Sequence, residues 1–124
     1  LYGTTTQNPC IFRVRETGKD YTVILNFTDI PQGDIVQDVD YLYGLTESTL
    51  FRFHLSVGEK EVLYRFIVVP TSLALNKGIL YIISADSNTL ASINTDGTNY
   101  KILYKFTNAS GITPTGITII GDSI

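Results

Sequence analysis

The side chains with chemistry to offer are few. The chain holds one histidine, His54, and one cysteine, Cys10. A nucleophilic thiol needs a base to take its proton, and His54 is the sole imidazole available. Cys10 follows Asn8-Pro9 in what reads as a polar loop, and His54 follows Phe53 near the end of a strand. Nothing in the sequence pairs them, and Ser-His-Asp or zinc chemistry at His54 would need partners from distant segments. The favoured readings are an exposed strand-end histidine and an inert or contact-making cysteine. Two oxygen-rich stretches, Asp86-Ser87-Asn88 and Asn94-Thr95-Asp96-Gly97, look superficially like loops for a hard cation. Both lack the terminal bidentate glutamate of such loops, and Asp-Gly is already explained as a hairpin turn. Asp34, Asp38 and Asp40 alternate, which would set three carboxylates on one strand face. A paired-carboxylate hydrolase is one use for them; a solvated edge that discourages misassociation is the commoner one. No catalytic set, metal site or cofactor is assigned.

Binding residues are easier to nominate. Tyr2, Tyr43 and Tyr81 recur at one position of an internal repeat. Packing between repeats is the first explanation. The second is a set of aromatic platforms for glycans, where repetition turns weak sites into avidity. Two sequons, Asn26-Phe27-Thr28 and Asn108-Ala109-Ser110, are candidate glycosylation sites if the chain passes through a secretory pathway.

The repeat must position all of these. Leu1-Tyr2-Gly3 returns as Leu42-Tyr43-Gly44 and, more loosely, as Leu80-Tyr81-Ile82. An apolar segment follows each: Ile11 to Val14, Leu50 to Phe53, Leu90 to Ile93. Polar turns carrying Gly18, Gly58 and Gly97 come next. A third segment then reads YTVILNFT, KEVLYRFI and YKILYKFT, starting at Tyr21, Lys60 and Tyr100. A final apolar segment closes each copy: Asp34 to Val39, Ser72 to Leu75, Gly116 to Ile120. Four strand-like segments in a period of about 40 residues describe one blade of a β-propeller. Tyr, Phe, Val, Ile and Thr fill the segments, and no helical periodicity survives the Gly and Pro positions. The fold expected is all-β: one repeat domain over 1–124, with repeats near 1–41, 42–79 and 80–124. Alternation puts Val62, Tyr64 and Phe66 on one strand face and Leu63 on the other. Phe27, Phe66 and Phe106 are expected as equivalent buried residues.

LYGTT at Leu1 to Thr5 and INTDGTNYKILYKFT at Ile93 to Thr107 resemble the GloVer tandem repeat of bacterial propeller-like surface and secreted proteins. The resemblance covers the whole chain and is weakest in the second copy, where Gly58-Glu59 replaces Asp-Gly. It implies a propeller and an extracellular or surface setting, and it supplies no catalytic residue to carry over.

The repeats are offset by one strand. The chain opens on the second strand of a blade, and Gly116 to Ile120 is a first strand with no blade after it. Three blades are too few for a ring, so the ends call for a partner. That partner is a second copy in a six-bladed ring, a head-to-tail assembly, or the rest of a longer chain. The composition is 44% hydrophobic and 17% charged with a net charge of −3. Without clustered Lys and Arg, nucleic-acid binding is not expected. No apolar run is long enough for a membrane span, and the absence of Met suggests processing or a segment of something longer. The function expected is a non-catalytic structural or assembly module. A carbohydrate-binding propeller is the alternative, and a propeller-fold glycoside hydrolase or lyase the second alternative.

Overall fold

A computed structural model describes residues 1–5, 9–26, 30–67, 69–84 and 88–106. Among these there is no helix, hence none long and apolar enough to cross a membrane. The strands are β1 (Tyr2–Thr5), β2 (Cys10–Arg13), β3 (Thr22–Asn26), β4 (Pro31–Asp38), β5 (Tyr41–Thr46), β6 (Thr49–His54), β7 (Glu59–Arg65), β8 (Ser72–Asn76), β9 (Ile79–Ser84), β10 (Thr89–Asn94) and β11 (Lys101–Lys105). They form three antiparallel sheets in chain order: β1-β2-β3, β4-β5-β6-β7 and β8-β9-β10-β11. The last segment of the first sequence repeat, β4, is thus the first strand of the second sheet. The final segment, Gly116 to Ile120, and Phe27 lie outside the described residues.

The sheets stack, with β1 beside β4 and β4 beside β8. Between the first and second sheets lie Ile11, Leu42, Phe51 and Phe53, with Tyr2, Ile24 and Leu55 packed around them. Between the second and third lie Tyr43, Leu45, Leu50, Leu73, Leu80, Ile82 and Ile93. The second sheet is therefore apolar on both faces, as a sheet covered on both sides must be. Each such fully buried side chain contributes about 1.5–3 kcal/mol.

Two cross-strand devices repeat. Gly3 faces Phe12 and Gly44 faces Phe51, while the third sheet reverses the sizes and sets Ile82 against Ala91. A Cβ at Gly44 would lie 2.6 Å from Cζ of Phe51, so the ring occupies the space a side chain would need. The second device is a bulge. The register slips at Ile11/Phe12, Leu50/Phe51 and Leu90/Ala91, leaving Ile24, Leu63 and Leu103 as the extra residue of β3, β7 and β11. Phe51 then pairs with Val62 and Leu50 with Tyr64. Paired residues share a face, so Val62 and Tyr64 lie on opposite faces, contrary to simple alternation. Phe66 and Phe106, one residue past the ends of β7 and β11, are only half-buried, and the core is built on Phe51 and its neighbours instead.

The hairpin turns carry Gly18, Gly58 and Gly97 at φ of 81°, 81° and 89°, the left-handed region that favours glycine. Val39, in the β4–β5 turn, adopts φ 49° with 90% of its surface exposed. A β-branched residue pays a steric cost there that nothing in its surroundings offsets. Val39→Asn should raise stability by about 1 kcal/mol, read as a higher urea midpoint. An unchanged or lower midpoint would mean that the turn holds no such strain.

Candidate functional site

Pairing around the β5–β6 turn sets His54 opposite Tyr41 and so beside Asp40. Its Nδ1 accepts the Val57 backbone N–H at 3.1 Å, which leaves the ring proton on Nε2, 3.3 Å from Asp40 Oδ2. Ser56 Oγ donates to Asp40 Oδ1 at 2.8 Å. His54 is not the partnerless strand-end residue the sequence suggested. The three residues of a hydrolytic triad are present in the wrong order. The carboxylate sits between serine and imidazole, so the serine has no imidazole beside it to take its proton. The alternating acidic trio also dissolves: Asp38 is exposed on β4, Asp40 sits in the turn, and the Asp34 side chain lies outside the described residues.

Next to His54 a small cleft of about 130 Å³ is lined by Tyr41, Arg52, Val57, Glu59 and Glu61. Arg52 organises it. Its Nε donates to Glu61 Oε1 at 2.6 Å, its guanidinium carbon stands 4.7 Å from the Tyr41 ring centre, and Nη1 donates to the Thr95 carbonyl of the third sheet at 3.1 Å. Ligand pockets run to about 300–1,000 Å³, so this cleft fits a few waters and not a sugar ring. Two of its charged groups, Arg52 and Glu61, are engaged with each other. Arg52 ties the second sheet to the third.

Cys10 is not in a loop. It opens β2, is 4% exposed, and lies 3.2 Å from Thr5 Oγ1. The equivalent position in the second sheet holds Thr49, whose hydroxyl lies 2.7 Å from that of Thr46. In the third sheet Ser84 and Thr89 face each other, both buried. Cys10 is therefore one member of a polar pair that each sheet carries at the same end, part-buried in the first sheet and buried in the other two. Its thiol stands where the others have a hydroxyl. Among the described residues no three His, Cys, Asp or Glu side chains converge as metal ligands.

The repeated tyrosines divide. Tyr43 is 3% exposed inside the core between sheets, and burial pushes its phenol above the ordinary value against the opposing hydrogen bond of Thr95 and charge of Arg52. Tyr2 and Tyr81 are half-buried. Asn26 is exposed on β3, while Asn108 lies outside the described residues. The Asn94-Thr95-Asp96-Gly97 stretch is a hairpin turn. Asp96 Oδ1 accepts from the Thr98 N–H at 3.0 Å and its hydroxyl at 2.6 Å, and these bonds hold the carboxyl below its usual range. Asp86 and Ser87 of the other cation-like stretch lie outside the described residues.

Contacts between sheets are the best-developed feature of the surface chemistry. At the junction of second and third sheets the Tyr64 and Tyr100 rings stack with centres 4.0 Å apart and planes 13° apart. A Cβ at Gly97 would lie 3.4 Å from Leu63 Cδ2, so the bulge residue of β7 rests directly on the β10–β11 turn.

No family model and no curated protein matches the chain. Solved structures do. The chain is similar to a chain of the nidogen/laminin complex at 19% identity and TM-score 0.65, over 85% of this chain and 43% of that one. It is similar to the computationally designed Ika4 protein at 12% identity and TM-score 0.69, over 98% of this chain and 74% of that one. It also resembles the N-terminal domain of Nup159 at 13% identity and TM-score 0.53, over 84% of this chain and 33% of that domain. The chain thus spans less than half the length of the nidogen/laminin and Nup159 chains. These likenesses establish an all-β fold of antiparallel sheets akin to propeller-like proteins, and nothing about activity.

Proposed function

We propose that the chain is a non-catalytic assembly module: three blades of a β-propeller, offset by one strand, that join copies through their edge strands. One observation carries the reading. Among the described residues the first sheet has three strands where the others have four, and β1 is its outermost described strand, at the place where β4 and β8 stand in theirs. An edge strand offers a row of backbone donors and acceptors to an incoming strand. In the second and third sheets the missing element comes from the preceding repeat, and Gly116 to Ile120 has the sequence of such an element. The partner is a second copy, giving a six-bladed ring or a head-to-tail assembly, or the adjoining part of a longer chain. An extracellular or surface setting fits the repeat's resemblance to surface-protein repeats and the exposure of Asn26.

Sedimentation velocity tests this on the chain 1–124 and on a version ending at Thr115. The full chain should sediment as a dimer or larger species, and the shortened one should associate much more weakly. Equal sizes for the two would overturn strand exchange.

A further inference from the structure

Equivalent positions in the three sheets are buried to very different extents. Leu42 and Leu80 are 1% and 0% exposed, whereas Leu1, at the same repeat position, is 67% exposed. Phe53 and Ile93 are buried and their counterpart Val14 is not. Among the described residues the first sheet thus lacks the neighbour that covers this face in the other two, and an open groove of about 700 Å³ there is lined by Leu1 and Val14 and by the charged Arg13, Arg15, Glu16 and Asp20. The third sheet is open on the opposite side. Leu103 and Tyr104 are 43% and 58% exposed, while Leu63 and Tyr64, their counterparts, pack against the next sheet.

The junction inside the molecule says what fits. Leu63 and Tyr64 meet Gly97 and Tyr100. By repeat position Leu63 and Tyr64 correspond to Leu103 and Tyr104, and Gly97 and Tyr100 to Gly18 and Tyr21. Tyr21 is 58% exposed, and among the described residues its ring contact is with Phe12 of its own sheet, at 5.3 Å between ring centres. The junction of first and second sheets is of another kind, with Leu25 and Lys60 at the two tyrosine positions. Of the three pairings the repeat allows, only Tyr64 with Tyr100 and Tyr104 with Tyr21 bring two tyrosines together.

We propose that the Leu103–Tyr104 face of the third sheet docks on the Gly18–Tyr21 face of the first sheet in a second copy, reproducing the internal junction of second and third sheets. The occupant is another copy because the missing surface is one this chain already makes. The contact rests on the assembly reading above and is separate from strand exchange: it joins faces through side chains, not edges through backbone. Stacked aromatic rings at the centre of an interface are where binding energy concentrates.

The test is a pair of charge variants, Tyr21→Lys and Tyr104→Glu, followed by sedimentation across a wide concentration range. Both side chains are exposed, so thermal unfolding of each variant should match the parent at concentrations where all are monomeric. Each variant alone should associate at least about tenfold more weakly. Mixing the two should recover part of the loss, because the Lys of one copy meets the Glu of another. Parent-like association of both single variants would overturn face docking and leave strand exchange standing. A parent that stays monomeric at every concentration would overturn both.

Discussion

Phe51→Ala should lower the stability by about 3–5 kcal/mol, the cost of emptying a buried aromatic site. Phe51 is 1% exposed, fills the space over Gly44, and belongs to the core between the first two sheets. The reciprocal change, Gly44→Ala, should cost about 1–3 kcal/mol, because a methyl 2.6 Å from Cζ displaces a ring with nowhere to move. The third sheet already holds the opposite arrangement, Ile82 against Ala91. The double variant Gly44→Ile with Phe51→Ala copies it, and should regain a substantial part of what Phe51→Ala loses. Urea denaturation of the three variants measures the coupling. A double variant no more stable than Phe51→Ala would show that the two arrangements are not interchangeable. A Gly44→Ala protein as stable as the parent would show that the ring does not depend on the glycine.

Arg52→Ala should cost about 2–3 kcal/mol. It removes the hydrogen bond to Thr95 and the packing over Tyr41, and leaves Glu61 without its partner. The ion pair itself contributes little, since the Glu61 side chain is 57% exposed. Most of the loss comes from the tie between the second and third sheets. Arg13 occupies the same repeat position and is exposed, so Arg13→Ala should change stability by less than about 0.5 kcal/mol. Thermal unfolding compares them, and amide exchange in the Thr95 to Thr98 turn should quicken for Arg52→Ala alone. Equal effects at the two arginines would mean that the bridge between sheets is idle.

Much of this architecture was legible from repetition. The strands, the glycine turns and the one-strand offset follow from segments that recur at fixed spacing, and the hairpin register then follows by counting. That same count would have placed His54 opposite Tyr41 and beside Asp40, although nothing local to His54 hints at it. The bulges were not legible. An extra residue in β7 looks like any other apolar residue in a run, and only pairing to β6 reveals that Leu63 is unmatched. That one residue puts Val62 and Tyr64 on opposite faces, against simple alternation, while the recurrence of Phe66 in the repeat marks a residue that only borders the core. Cys10 was misread for a similar reason. Its counterparts Thr49 and Thr89 are hydroxyls, so its place in a polar pair shows only when the sheets are superposed by repeat.

Each four-stranded sheet is laid down in strict chain order, every strand pairing only with its neighbours in sequence. Contacts of that kind close small loops and form early, so a sheet can assemble as soon as its own residues leave the ribosome. The faces cannot be satisfied so soon. Leu45 and Leu50 lack the covering layer of the third sheet until Leu73 to Ile93 have been made. Synthesis therefore passes through intervals in which a finished sheet presents a bare apolar face. How long each lasts depends on the rate of elongation.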